Sequence, residues 1–328
     1  MRTGLLDPRE LLQPAARRLR RLARRTAAVP YRSMVVPLLG RAETAHAVEL
    51  ACRLAADRGG RVILVAPLVV EPELPLDADF SEEVAALQAR LDEAAKTAAS
   101  YGVTVKRMLV RTRERALGHE LAEVAGDYRA EVVVVGAPIS SRRGFRRAFP
   151  AEVMSVLREA PCRVLVVTGP YAAGGEALSG AGFARILVPM KLGPIGEEMV
   201  AAAVKLARDG GSSVEALFVV RVPLELPLDA PLPEVEDHAA AALARAARLG
   251  VDAGVEVACR TVRARSIGDA IVRSARDEGA DLIVLGSSPR WRRQSRFFSP
   301  TVDYVLRHAP AEVLVVAFPQ GVLERPSA

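Results

Sequence analysis

The sequence has few of the side chains that most often bind metals or form disulfides, and only 4% of its residues are aromatic. Its three cysteines, Cys52, Cys162 and Cys259, lie far apart without a CxxC spacing, and its four histidines are equally scattered. The pattern indicates neither a zinc site nor a disulfide framework. We therefore predict no metal site and interpret the cysteines as buried thiols.

Long apolar runs are also absent. No stretch approaches the ~18 residues that a membrane-spanning helix requires, and the first thirty residues contain no hydrophobic core of a secretion signal. We therefore expect a cytoplasmic protein. Half of the 328 residues are hydrophobic and 26% are charged, a composition typical of globular chains, and this length predicts two domains.

The positive charge is concentrated at one end. Residues 1–33 contain nine arginines and two acids, whereas the remainder is nearly balanced. Arginines around a narrow stripe of Leu19, Leu22 and Ala23 predict a basic amphipathic helix. Two interpretations stay open: a solvated helix packed lightly on the first domain, or a helix attracted to an anionic membrane surface or an acidic partner. Because the basic excess is confined to this arm, we expect no nucleic-acid binding.

The chain is a tandem duplication. Residues 73–78, Glu-Leu-Pro-Leu-Asp-Ala, recur as residues 225–230. Each half shows five apolar strands alternating with four helical segments, the pattern of a parallel sheet covered on both faces. The predicted fold is α/β, with two tandem doubly wound five-stranded parallel-sheet domains.

The predicted organisation follows the repeat and a glycine-rich stretch, which is typical of a linker because glycine loosens the chain. The predicted segments are a basic N-terminal arm (1–33), a first domain (34–168), a linker (169–183), a second domain (184–318) and a C-terminal tail (319–328).

Several stretches carry a resemblance to a known family: residues 186–189, 280–286 and 305–316 in the second half, and residues 130–136 and 156–167 in the first. They resemble the universal stress protein family, over nearly the whole chain. The resemblance implies an adenine nucleotide alpha hydrolase-like fold and an intrachain pseudo-dimer in which the last strands of the two domains lie side by side.

A second likeness concerns the Leu-Pro-Leu-Asp segments and the Thr-Val-Asp-Tyr-Val-Leu segment at residues 301–306. They are similar to stress-protein domains associated with amino-acid permeases and cation antiporters. This likeness implies a membrane transporter as a partner, with the protein at the inner face of the membrane.

Relatives that bind ATP have a Gly-x2-Gly-x9-Gly-Ser loop after the fourth strand, which lets backbone N–H groups approach phosphate. Here only the first glycine is present. In the second half, Pro289 and Ser299-Pro300 stand where the later glycines belong. Leu39 and Lys191 replace an aspartate that contacts the nucleotide. The resemblance therefore implies degenerate nucleotide-binding loops.

Arginine is abundant where the glycines are missing, and its guanidinium can bind phosphate or stack on a base. The alternative is that these loops are exposed charges, or an interface whose aromatic residues pack on a partner. The candidate anion- or nucleotide-binding residues are Gly136, Ser140, Arg142 and Arg143 in the first half, and Gly286, Ser287, Arg290, Arg292, Arg293 and Ser299 in the second.

No catalytic constellation can be placed at the strand ends, so we predict no enzymatic activity. The predicted function is a regulatory or sensor module that acts through a ligand or a partner such as a membrane transporter. The alternative is an ATP-binding stress-response protein with slow or no hydrolysis. We expect no bound cofactor, with ATP or another nucleotide as the open alternative.

Overall fold

The computed structural model describes residues 31–40, 43–56, 59–138, 149–168, 182–287 and 298–318. The elements of the first half are β1 (Ser33–Pro37), α1 (Glu43–Ala56), β2 (Arg61–Val69), α2 (Ser81–Ser100), β3 (Thr104–Thr112), α3 (Leu117–Asp127), β4 (Val132–Gly136), α4 (Ala151–Glu159) and β5 (Arg163–Val167). Those of the second half are β6 (Arg185–Pro189), α5 (Pro194–Gly210), β7 (Ser213–Arg221), α6 (Pro233–Ala253), β8 (Val257–Ala264), α7 (Ile267–Asp277), β9 (Leu282–Ser287), α8 (Pro300–His308) and β10 (Glu312–Ala317).

The ten strands form one continuous sheet in the order β3-β2-β1-β4-β5-β10-β9-β6-β7-β8. Within each half all neighbouring strands are parallel. At the middle of the sheet β5 and β10 pair antiparallel, with Val166 opposite Val315. The predicted tandem parallel-sheet domains and the side-by-side last strands are therefore confirmed.

The core consists of two apolar layers, one on each face of the sheet. Successive strand residues point to opposite faces, so Val36 belongs to the layer under α1, α2, α5 and α6, whereas Val35 belongs to the layer under α3, α4, α7 and α8. Because both faces are covered, the central strands β1, β4, β5 and β10 are continuous buried runs, whereas the edge strands β3 and β8 are partly exposed.

The first described residues already belong to the folded domain. Tyr31 is buried in the first core layer, and β1 begins at Ser33. The preceding thirty residues, which carry the predicted amphipathic helix, lie outside the described residues.

The cysteine interpretation needs one correction. Cys52 and Cys162 are buried, but Cys259, which lies in the edge strand β8, is exposed. In the described ranges, no three His, Cys, Asp or Glu side chains are grouped so that they could hold a metal ion. The helices of the same ranges include none with the length and apolar character needed to cross a membrane.

Candidate functional site

The predicted ligand loops follow β4 and β9. Gly136, Gly286, Ser287 and Ser299 lie among the described residues. The other six predicted site residues lie outside them: Ser140, Arg142, Arg143, Arg290, Arg292 and Arg293. The structure therefore describes the residues at which each loop begins and ends.

Each loop begins at a glycine that helix packing requires. A Cβ atom on Gly136 would lie 2.1 Å from the carbonyl oxygen of Glu43, the first residue of α1. A Cβ atom on Gly286 would lie 2.3 Å from Cγ2 of Ile195 and 2.5 Å from Sδ of Met199, both on α5. Real Cβ atoms do not approach other heavy atoms so closely. Glycine is thus needed at position 136 for the α1 backbone to reach the sheet, and a side chain at position 286 would have to displace Ile195 and Met199 of α5. Both constraints hold whether or not a phosphate binds there.

The serines have structural partners as well. The exposed Ser299 is the N-cap of α8, and its hydroxyl accepts a hydrogen bond of 3.3 Å from the Val302 N–H. Ser287 is buried in β9 opposite Ala317 of β10. In the first domain Pro150 holds the N-cap position of α4 and offers no side-chain hydrogen bond. The two loops therefore end in different N-cap residues, although a helix follows directly after each.

The residues at the predicted aspartate positions supply no carboxylate. Leu39 is partly buried and packs against the second core layer, beside α3 and α4. Lys191 is exposed after β6. Both residues follow the first strand of their domain, at the position where the aspartate is expected, but neither has an acidic side chain.

The two loops end at aromatic residues that contact each other across the domains. The rings of Phe149 and Phe298 are 5.5 Å apart, centre to centre, and perpendicular, a favourable edge-to-face arrangement. Both rings are buried. Phe149 and Phe298 thus contribute to the contact between the domains.

Two ion pairs connect the domains through equivalent positions of the repeat. Arg163 of β5 pairs with Glu198 of α5, and Glu312 of β10 pairs with His46 of α1 at 3.0 Å between Nδ1 and Oε1. The repeat relates Arg163 to Glu312 and His46 to Glu198, so the polarity of the pair is reversed between the two copies. We call these pairs, with the β5–β10 contact, the domain seam.

The Arg163 side of the seam is closely packed. The guanidinium carbon of Arg163 lies 5.0 Å from the ring centre of Tyr31, a cation–π contact. Burial raises the pKa of Tyr31 to about 12. The Tyr31 hydroxyl has no hydrogen-bond partner among the described residues. The aromatic ring therefore stabilises the seam through its face rather than through its hydroxyl.

The His46 side of the seam is more open. A cleft is lined there by His46, Glu49, Leu50, Arg53, Val167, Gly182, Phe183 and Glu312. Arg53 pairs with Glu49 at 2.8 Å, and the Tyr101 hydroxyl donates to Glu49 at 3.1 Å. The close contact with the Glu312 carboxylate raises the pKa of His46 above its ordinary value, against the opposing effect of burial. This half of the seam is thus the one that can titrate near neutral pH.

Sequence reasoning missed the seam residues because each is an isolated charged side chain on a helix or strand. A signal was nevertheless present. When the repeated segments of the two halves are aligned, His46 is equivalent to Glu198 and Arg163 is equivalent to Glu312. Two positions that contact each other across a pseudo-twofold axis can form an ion pair in both copies when the charge at each position is reversed between the domains.

The fold defines a tandem α/β protein in which two similar domains join through one continuous sheet. The sequence model of the universal stress protein family matches residues 30–168 and 182–317. The chain therefore belongs to the universal stress protein family.

Solved structures agree with this fold. A universal stress protein from Archaeoglobus fulgidus DSM 4304 is similar with a TM-score of 0.59 and 14% identity, over 86% of this chain and 97% of that one. A second structure, from Pseudomonas aeruginosa UCBPP-PA14 and named as a universal stress protein, is similar with a TM-score of 0.54 and 16% identity, over 92% of this chain and 97% of that one. No curated relative matches the sequence.

Proposed function

We propose that this protein is a regulatory or sensor module without enzymatic activity, whose two ligand loops no longer form the phosphate cradle of nucleotide-binding relatives. The observation that carries the proposal is the packing of Gly136 and Gly286 against the helices that follow β1 and β6. Packing alone accounts for the one glycine that each loop retains. The retained glycines therefore supply no argument for phosphate binding.

The remaining features support the same proposal. Pro289 and Pro300 have no backbone N–H to offer a phosphate. The Ser299 hydroxyl caps α8, and Leu39 offers an apolar side chain where a nucleotide would need a carboxylate. Arginines 142, 143, 290, 292 and 293 remain as the groups through which an anionic ligand would bind.

Calorimetric titration of the full chain with ATP tests this proposal. We expect no saturable heat at low-micromolar ATP. A low-micromolar affinity that Arg290→Ala or Arg293→Ala abolishes would overturn the proposal in favour of the alternative, an ATP-binding stress protein whose arginines form the cradle. Arg115→Ala is the matched control, because Arg115 is exposed in the turn before α3 and belongs to neither loop.

We further propose that the module acts beside a membrane transporter, with residues 1–30 facing the anionic inner surface of the bilayer or the transporter itself. Residues 1–30 contain eight arginines and only two acids. Each arginine near an anionic bilayer contributes roughly 1 kcal/mol, and salt weakens the attraction. The apolar stripe of the predicted helix contains only two leucines, Leu19 and Leu22, and is too narrow for deep insertion, so binding should be reversible.

Cosedimentation with vesicles containing phosphatidylserine tests the role of the arm. The full chain should sediment with these vesicles at low salt and not at high salt, and deletion of residues 1–30 should abolish sedimentation while leaving the melting temperature almost unchanged. Vesicles of neutral lipid are the control. A large fall in melting temperature without loss of association would show instead that the arm is part of the fold.

A further inference from the structure

Two loops outside the seam are built in the same unusual way. Each follows the second strand of its domain: loop 1 is residues 71–80, between β2 and α2, and loop 2 is residues 223–232, between β7 and α6. Each contains one copy of the Glu-Leu-Pro-Leu-Asp-Ala repeat and folds as two consecutive turns, closed in loop 2 by Leu226 N–H to Pro223 O (3.2 Å) and Ala230 N–H to Pro227 O (3.1 Å).

Two arginines hold each loop by its backbone. In loop 2, Arg263 Nε donates to Leu228 O at 2.8 Å, and Arg265 Nη2 donates to Leu226 O at 2.6 Å. Further backbone carbonyl groups of loop 2 accept hydrogen bonds from these two arginines, and further carbonyl groups of loop 1 accept from its own two arginines. The equivalent contacts of loop 1 are Arg111 Nη1 to Leu76 O at 2.9 Å and Arg113 Nη2 to Leu74 O at 2.7 Å.

The clamped backbone presents apolar side chains to solvent. In loop 2, Leu224, Leu226 and Leu228 are 80%, 39% and 49% exposed. The arginines satisfy the carbonyl groups and fix the turns, so the exposure of the leucines is a property of an ordered loop. A cluster of exposed leucines on an ordered loop is typical of a surface that binds a partner.

The charge around loop 2 indicates which partner fits. Residues 223–237, which include the first turn of α6, contain five acidic residues and no lysine or arginine. Arg263 and Arg265 offset two of these charges, since Arg263 pairs with Glu236 and both hold the loop backbone, so the surface keeps an acidic excess of three. Residues 1–30 of the same chain contain eight arginines, two acids and six leucines. A basic segment with leucines and an acidic surface with leucines are complementary in both charge and apolar character.

The topology places the end of the arm near loop 2. Because β5 and β10 are antiparallel, the edge of the sheet at which domain 1 strands begin is the edge at which domain 2 strands end. Residue 31 enters β1 at this edge, and loop 2 leaves β7 there; loop 1 lies at the opposite edge. Tyr31 and α6 also lie on the same face of the sheet.

The span is also within reach. Tyr31 lies two residues before β1, and six strand steps separate β1 from β7, roughly 29 Å at ~4.8 Å per step. A helix of about 20 residues spans about 30 Å. Thirty residues preceding Tyr31 therefore suffice to reach loop 2 of the same chain.

We propose that residues 1–30 dock on loop 2 of their own chain, with leucines of the arm against Leu224, Leu226 and Leu228 and arginines against the flanking acids. The docked arm cannot bind an anionic surface at the same time. Loop 2 therefore competes with the membrane for the arm and restrains the association proposed above.

Limited trypsin digestion of the full chain tests the docking, since the arm offers eight arginines to the protease. At low salt we expect slow loss of the arm. Leu226→Ser/Leu228→Ser and high salt should each speed its loss about tenfold, the ratio for weakening a contact by ~1.4 kcal/mol. The matched control is Leu74→Ser/Leu76→Ser in loop 1, which should digest like wild type. Equal rates in all three proteins, or faster loss only in the loop 1 variant, would overturn the proposal.

Two further measurements separate the alternatives. Protection that grows with protein concentration would mean that the arm binds a second copy, which overturns docking within one chain. In the vesicle assay the loop 2 variant should sediment more completely than wild type. If no protein sediments while the protease result holds, the membrane proposal fails and the docking stands.

Discussion

Nδ1 of His46 lies 3.0 Å from Oε1 of Glu312, and this contact joins α1 of the first domain to β10 of the second. At the equivalent place in the other copy, Arg163 and Glu198 make the same connection with opposite polarity. Arginine stays charged at any physiological pH, whereas histidine does not. The two halves of the seam therefore respond differently to pH, and only the His46 half weakens as pH rises.

The first prediction concerns that pH response. The folded-state pKa of His46 is raised, so its ion pair stabilises the fold fully below the unfolded pKa of about 6.5 and loses this contribution as pH rises through the folded pKa. The groups that face His46 are Glu312, Glu43 and Glu49. We expect His46→Gln to be destabilising at pH ~6 and closer to neutral at pH ~8, measured by urea unfolding across this range.

The other ion pair supplies the control for this experiment. Arg163→Gln leaves the mostly buried Glu198 without its partner and should cost about 3 kcal/mol. This cost should be the same across the pH range in which His46 titrates. If the cost of His46→Gln is equally independent of pH, the seam does not titrate through His46.

The second prediction concerns Thr168, which extends the β5–β10 pairing. Its buried hydroxyl accepts from the Val313 N–H at 3.0 Å and donates to Val313 O at 3.1 Å. Thr168→Val keeps the shape but leaves a buried N–H without an acceptor, so we expect a loss of about 1–3 kcal/mol in the free energy of unfolding. Thr104→Val, on the exposed start of β3, should change it by less than about 0.5 kcal/mol.

The third prediction tests whether the loop glycines are structural. Gly136→Ala places a Cβ 2.1 Å from the Glu43 carbonyl oxygen, so α1 must move and stability should fall by about 1–3 kcal/mol or more. Gly126→Ala has open space around the new atom and lies in α3; it should be neutral or stabilising by up to about 1 kcal/mol. Equal thermal stability of the two variants would contradict the packing argument.

The fourth prediction concerns thiol reactivity. Burial raises the pKa of both Cys52 and Cys162 to about 12, which leaves almost no thiolate at neutral pH. Cys259 is exposed. Reaction of the native protein with an aromatic disulfide reagent should therefore give one rapid equivalent, which Cys259→Ser removes. Two or more rapid equivalents in the native state would show that the buried sulfurs are accessible.

Much of this protein could be predicted from the sequence. Apolar runs such as those at 132–135 and 282–285 have no alternation, so they require cover on both faces and predict a parallel sheet with helices on each side. The recurrence of one six-residue segment establishes the duplication. The missing glycines and the two prolines in the second loop are equally visible, because they are single-residue departures from a known pattern.

Tertiary structure alone decided how the duplicated parts are used. The sequence letters alone cannot show that a Cβ atom on Gly136 would clash with α1, since that contact joins residues 93 positions apart. Nor can they show that Arg263 and Arg265 clamp the carbonyls of loop 2 while its leucines stay exposed. Local propensity and periodicity are set by neighbours in the chain, so the sequence determined the strands, the helices and the repeat. The seam pairs, the clamped loops and the edge at which the arm leaves depend on an antiparallel join of two domains, which only long-range packing selects.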